Sequence, residues 1–116
     1  MQQIYPDLDQ LILDMSDGDK AFQAELTIAI YKGLIELKEK YAEGVLNKDD
    51  IIIQQIRHKL KPTLYMFDLS HIIEELNIGK EIIENHGFDG MDFITHYQNL
   101  IEKLNAAIIR VFELIK

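Results

Sequence analysis

Apolar residues recur along most of the chain at intervals of three and four, the spacing that lays one stripe along an α-helix. Tyr5 to Met15 (YPDLDQLILDM) predicts a short first helix, with Pro6 near its start and two acids in the opening turn, where the helix dipole favours negative charge. The polar run SDGD at 16–19 ends it. A second helix is predicted from about Asp19 to Glu43, its inward stripe formed by Phe22, Leu26, Ala29, Ile30, Gly33, Leu34, Leu37 and Tyr41, with Gly44 as its terminator. Asn47 reads as the N-cap of a third helix, with Asp50 at the N3 position and Ile53, Ile56, Leu60, Thr63 and Phe67 gathered on one side. A fourth is predicted from Leu69 or Ser70 to His86, capped by Asp68, apolar at Ile72, Ile73, Leu76, Ile82 and Ile83, and stopped by Gly87. Gly79 in its middle marks a bend or a close helix contact. The fifth runs from Met91 to Ile115, apolar at Phe93, Ile94, Tyr97, Leu100, Ile101, Leu104, Ile108, Val111, Phe112 and Ile115. No segment alternates with period two for long enough to require a strand.

Four long amphipathic helices joined by short connections cannot each bury a stripe alone. The expected fold is therefore all-α, an antiparallel up-down four-helix bundle with the short N-terminal helix laid across one end. The chain of 116 residues reads as a single domain over 1–116, long enough to bury roughly two thirds of the surface its unfolded form exposes. Internal repeats, Pro/Gly/Ser-rich linkers and low-complexity tails are absent, and pairs such as Glu36 with Lys40 read as ordinary solvated helix faces.

Composition removes several kinds of chemistry. Without cysteine there are no disulfides, thiolate nucleophiles or cysteine-bound metals. With 20 Asp plus Glu against 12 Lys plus Arg, the formal charge of −8 repels phosphate backbones and anionic lipid, so neither nucleic acid nor membrane is an expected partner. The N-terminal MQQIYPDLDQ lacks the positive region and apolar core of a secretory signal, and no apolar run approaches the roughly 20 residues that span a bilayer; a cytoplasmic location is expected. The one compact basic cluster is Arg57, Lys59 and Lys61 around His58, a footprint suited to a single phosphate group.

That cluster lies in RHKLKPTLYMFD, where Pro62 follows His58 by one helical hydrogen-bond register. Helical geometry places His58 about 160° from both Ile56 and Leu60, facing away from the core. Gln54, Lys61, Pro62 and Tyr65 share its face, with Ile51 two turns earlier, while Arg57 and Lys59 flank it at about 100° on either side. If the helix continues past residue 62, the proline denies the His58 carbonyl its partner and bends the axis; the alternative is a new helical turn after an earlier break. A plain surface histidine is the competing reading of position alone. His71, His86 and His96 are dispersed, and Asp92 with His96, at i,i+4, supplies too few ligands for a metal. Ser16 and Ser70 have no evident catalytic setting, and no phosphate loop or cofactor motif is present.

The segment IRHKLKPTLYMFDL, Ile56 to Leu69, resembles the signature of the histidine-containing phosphotransfer domains of phosphorelays. His58, Leu60 and Lys61 match that signature in type and spacing, Thr63 stands where a small hydroxyl residue is common, and FQAEL at 22–26 is similar to a pattern frequent in the preceding helix. Pro62 replaces the first family glycine and Asp68 the second, and Tyr65, Met66 and Phe67 are bulkier than is usual there, Phe67 as a core residue. The resemblance covers essentially the whole chain, since the family consists of small acidic helical bundles with a short N-terminal helix. It implies that His58 accepts a phosphoryl group from the aspartyl phosphate of a response-regulator receiver domain, or of a hybrid sensor kinase, and passes it on. Lys61 then offsets phosphate charge and Gln54 orients the ring or the phosphoryl group; Arg57, Lys59, Pro62, Tyr65 and Ile51 form the docking face. The expected protein is a monomeric phosphocarrier, not a complete enzyme. It needs no cofactor of its own, the magnesium ion residing on the partner receiver. The alternative is an adaptor that binds a receiver through the same face without being phosphorylated.

Overall fold

The computed structural model describes residues 5–115, so the MQQI at 1–4 that entered the argument about signals, and residue 116, lie outside it. Five helices follow one another: α1 (Leu8–Ser16), α2 (Lys20–Asn47), α3 (Asp50–Met66), α4 (Ser70–His86) and α5 (Met91–Ile115). Helix α2 packs on α3 and α5, and α4 packs on the same two, which closes an antiparallel four-helix bundle. The short α1 lies against α2 with Leu8 and Ile12 buried, and Asp9 reaches Arg110 of α5 at 3.8 Å. Among the described residues, no helix is long and apolar enough to cross a membrane.

The connections differ in detail from the sequence expectations. Asp17 and Gly18, both left-handed, turn the chain out of α1, and the Asp19 carboxylate caps α2 by accepting from Phe22 N–H at 3.1 Å. Gly44 does not terminate α2, which runs a turn further; it is buried against α3, and an added Cβ would lie 2.5 Å from Ile53 Cγ1. With Gly44 held inside α2, the N-cap of α3 moves from Asn47, the last residue of α2, to Asp49, whose carboxylate accepts from Ile51 N–H at 3.0 Å. Asp50 consequently opens α3 instead of standing at N3. Asp68 does not cap α4 either. It takes a left-handed conformation at φ 53° that turns the chain, and Leu69 becomes the N-cap with no side-chain hydrogen bond. Leu69 is itself fully buried, so this corner is fixed by packing, not by capping.

The core is a column of Leu34, Leu37, Tyr41, Ile53, Ile56, Leu60, Leu64, Ile72, Leu76, Leu100, Leu104 and Val111. Phe67 joins it, as does Leu64, which the expected α3 stripe omitted. Phe22 and Ala29 of α2 are exposed against expectation, as are Ile94, Phe112 and Ile115 of α5. Helix length explains Phe22: α2 has 28 residues and α3 only 17, so at about 1.5 Å per residue the first turns of α2 project beyond its neighbour.

A buried polar chain crosses the bundle. The rings and carboxylate run from Tyr41 on α2 through His96 on α5 to Glu75 on α4, with Oη···Nε2 at 2.6 Å and Nδ1···Oε2 at 2.7 Å; Lys103 Nζ donates to Glu75 Oε1 at 2.8 Å. Every member is satisfied with the His96 proton on Nδ1 and the Tyr41 hydroxyl donating to Nε2. Burial alone would raise the Glu75 carboxyl, but hydrogen bonds from Lys103 and His96 outweigh it and hold the group below its ordinary value. Gly79 of α4 lies directly against this chain, an added Cβ falling on the His96 ring, so the glycine marks a close helix contact. Asp92 and His96 therefore do not pair. Asp92 instead accepts from His86 Nδ1 at 2.7 Å on the surface, and that hydrogen bond lowers its carboxyl pKa.

Candidate functional site

Helix α3 continues unbroken through Pro62, which decides between the two readings of that residue. The His58 carbonyl faces a position with no N–H, a defect worth up to about 3 kcal/mol in a helix interior. The imidazole of His58 projects from the opposite side of the helix to the buried Ile56 and Leu60 and is exposed to solvent. Pro62, Tyr65 and Ile51 are exposed as well, the last two at 57% and 65%.

Beside His58 a groove of about 520 Å³ opens between α3 and α4. From α3 it takes Gln54, His58, Lys61 and Tyr65, spaced one turn apart along the helix, together with Arg57 beside them. Leu64, Ile73 and Leu76 supply its apolar floor, and Asn77, Lys80 and Glu84 of α4 form the opposite wall. Pro62 and Ile51 stand outside the groove. Three cations and one carboxylate line it, making a locally positive patch on a chain whose net charge is −8.

The two basic neighbours of His58, placed symmetrically about it by helical geometry, go to different sides. Arg57 turns into the groove, whereas Lys59 leans toward α2 and pairs with Glu36 at 2.6 Å. Glu36 thus bonds across helices to Lys59, and Lys40 pairs with Glu43, so the anticipated Glu36–Lys40 pairing does not form. Arg57 Nη1 is buried and finds no hydrogen-bond acceptor. Its charge also reaches Tyr41, whose hydroxyl burial pushes well above the ordinary value in spite of the nearby cation. Gln54 is held by its Nε2 donating to Asp50 Oδ2 at 2.6 Å, which leaves its second amide N–H and its carbonyl oxygen available. Lys61 Nζ lies 5.9 Å from the centre of the Tyr65 ring, a cation–π contact that leaves its ammonium beside the groove.

Comparison with known proteins returns no match. Protein-family models, curated proteins and solved structures were each searched, and none corresponds to the chain. What stands is the architecture, an all-α helical bundle of the general type to which histidine phosphotransfer domains belong.

Of the residues expected at the site, the groove brings together His58, Lys61, Gln54, Arg57 and Tyr65 and leaves Lys59, Pro62 and Ile51 outside it. Asn77, Lys80 and Glu84 were not anticipated. They share one face of α4 at i, i+3 and i+7, but only the packing of α4 beside α3 brings that face to His58.

Proposed function

We propose that the protein is a phosphorelay intermediate in which His58 accepts a phosphoryl group from the aspartyl phosphate of a response-regulator receiver domain and transfers it to a second receiver. The observation carrying this reading is a solvent-exposed imidazole on the outward face of a bundle helix, at the edge of a groove holding Arg57, Lys61 and Lys80 in a chain of net charge −8. A neutral imidazole needs no general base: the Nε2 lone pair attacks phosphorus, a P–N bond forms as the P–O bond to the aspartate breaks, and the electron pair leaves with the carboxylate. The Nδ1 proton stays on the ring. Lys61 offsets the phosphoryl charge, a contribution on the order of 1 kcal/mol while its ammonium remains hydrated. Gln54 holds the ring or the phosphoryl oxygens in line.

The receiver, free-standing or part of a hybrid sensor kinase, supplies the aspartate and its magnesium ion, so this chain acts as carrier. Tyr65, Ile51 and Pro62 are exposed on the His58 side and suit the apolar part of the docking surface, while Arg57 and Lys59 suit its charged part. Mixing the protein with phosphorylated receivers should place acid-labile phosphate on it, and His58→Gln should abolish labelling with helical content intact. Labelling that persists in His58→Gln removes the acceptor assignment.

One observation favours a second reading, a non-phosphorylated adaptor that docks through the same face. The rigid Pro62 ring lies about 40° around α3 from His58, where it narrows close approach to the imidazole. An adaptor binds a receiver with no transfer and keeps its affinity in His58→Gln.

A further inference from the structure

We infer that the α3–α4 groove is a composite phosphoryl-binding site in which Lys80 of α4 and Arg57 act together with Lys61. The inference deepens the phosphotransfer reading by adding a second helix to the binding of the phosphoryl group.

Charge and pairing carry the argument. A phosphoryl group on an imidazole nitrogen presents three acceptor oxygens and close to two negative charges, and Lys61 alone answers one of them. Lys80 lines the same groove as His58 and, among the described residues, makes no ion pair; even Glu84, one turn further along α4, is not bonded to it. Arg57 is the more telling residue. Its Nη1 is buried in the structure without an acceptor, a state that costs free energy for as long as no acceptor arrives. A tetrahedral oxyanion in the groove supplies that acceptor once the guanidinium turns outward from its buried seat, since its fork matches phosphoryl oxygens. The apolar floor of Leu64, Ile73 and Leu76 lowers the local dielectric beneath the cations and so strengthens each contact. Lys59, engaged with Glu36 on the α2 side, belongs to no part of this arrangement. Glu84 is the one opposing charge on the lining, and its removal should tighten anion binding.

The ligand class is a phosphoryl oxyanion, and inorganic phosphate is the direct probe. Phosphate titrated into the intact protein at low ionic strength, followed by NMR, should shift resonances of both α3 and α4 around the groove with a saturable dissociation constant. Lys80→Ala should weaken that constant about fivefold, an exposed cation's share, and Arg57→Gln about tenfold. Lys80→Arg should restore binding, Glu84→Gln should strengthen it, and Lys40→Ala, which removes an equal charge from α2, should leave it unchanged. Absence of saturable binding, or equal responses to Lys80→Ala and Lys40→Ala, overturns the inference. Arg57→Gln is interpreted only where its circular dichroism and melting match wild type; Lys80, exposed on α4, provides the independent arm. The two proposals separate cleanly. If receivers label His58 but phosphate ignores Lys80, the groove site falls and the phosphorelay stands; if phosphate binds through Lys80 and no receiver labels His58, the reverse holds.

Discussion

Gly79→Ala is the substitution for which helix propensity and packing give opposite signs. In the interior of an exposed helix, alanine would stabilise by about 1 kcal/mol relative to glycine. Gly79 is buried in α4, and a Cβ there would fall on the His96 ring and lie 2.7 Å from the Tyr41 hydroxyl. Neither neighbour can move while keeping the Tyr41–His96 bond of 2.6 Å and the His96–Glu75 bond of 2.7 Å. Leaving buried polar groups unsatisfied costs about 1–3 kcal/mol each, so after subtracting the propensity gain the variant should lose about 2–4 kcal/mol and melt roughly 10–20 °C lower. Urea denaturation followed by far-UV circular dichroism measures the loss directly. Combined with His96→Ala in a double-mutant cycle, Gly79→Ala should become neutral or stabilising, because the ring it displaces is gone. A single variant as stable as wild type, or an equal penalty in the His96→Ala background, would refute the reasoning. The outcome bears on function, since this contact seats α4 on α5 and thereby positions Lys80 opposite His58.

Other perturbations test separate parts of the account. Glu75 has its pKa depressed below the ordinary 4.5, so the carboxylate's contribution to stability is fully present above 4.5 and is lost as pH falls below that value and through the lower pKa of the folded state. Urea midpoints across the range from neutral to about pH 3 should therefore drop on acidification, and in Glu75→Gln they should start lower and change less; parallel curves would contradict the assignment. Pro62→Ala restores an N–H beneath the His58 carbonyl and should raise stability by about 1–2 kcal/mol, the helix gain reduced by the freedom returned to the unfolded chain, unless the measured midpoint stays put or falls. Lys61→Ala should slow phosphoryl transfer about fivefold in a rapid-quench assay with helical content unchanged, and an unaltered rate takes the ammonium out of the mechanism. Tyr65→Ala should weaken receiver binding in calorimetry by about 1 kcal/mol or more, as for a large exposed aromatic at an interface; equal affinity excludes it from the docking face.

The helices were legible because each carries a sustained apolar stripe, and α3 to α5 fall within a few residues of expectation. The connections were less so, for a physical reason: Asn47, Asp49 and Asp50 can all cap a helix, and the choice was made by Gly44 packing on Ile53, a tertiary contact. Asp68 likewise resembled a cap but was needed for a left-handed turn that buries Leu69. At the site, the outward direction of His58 followed from the angle to Ile56 and Leu60 alone. The division of Arg57 to the groove and Lys59 to Glu36 did not, because the two positions are equivalent until α4 and α2 are in place. His96 looked like one more dispersed histidine; only the crossing of α2, α4 and α5 reveals its partners, although Gly79 carried a trace of the close contact.

The central claim is that His58 forms a P–N bond. Phosphorus-31 NMR of the intact protein after reaction with a phosphorylated receiver tests it most directly, with site mapping by mass spectrometry under non-acidic conditions. The account predicts one phosphoramidate resonance assigned to His58, lost on acid treatment and absent in His58→Gln. Phosphate located at any other residue, or receivers that bind tightly yet leave His58 unmodified, would contradict it.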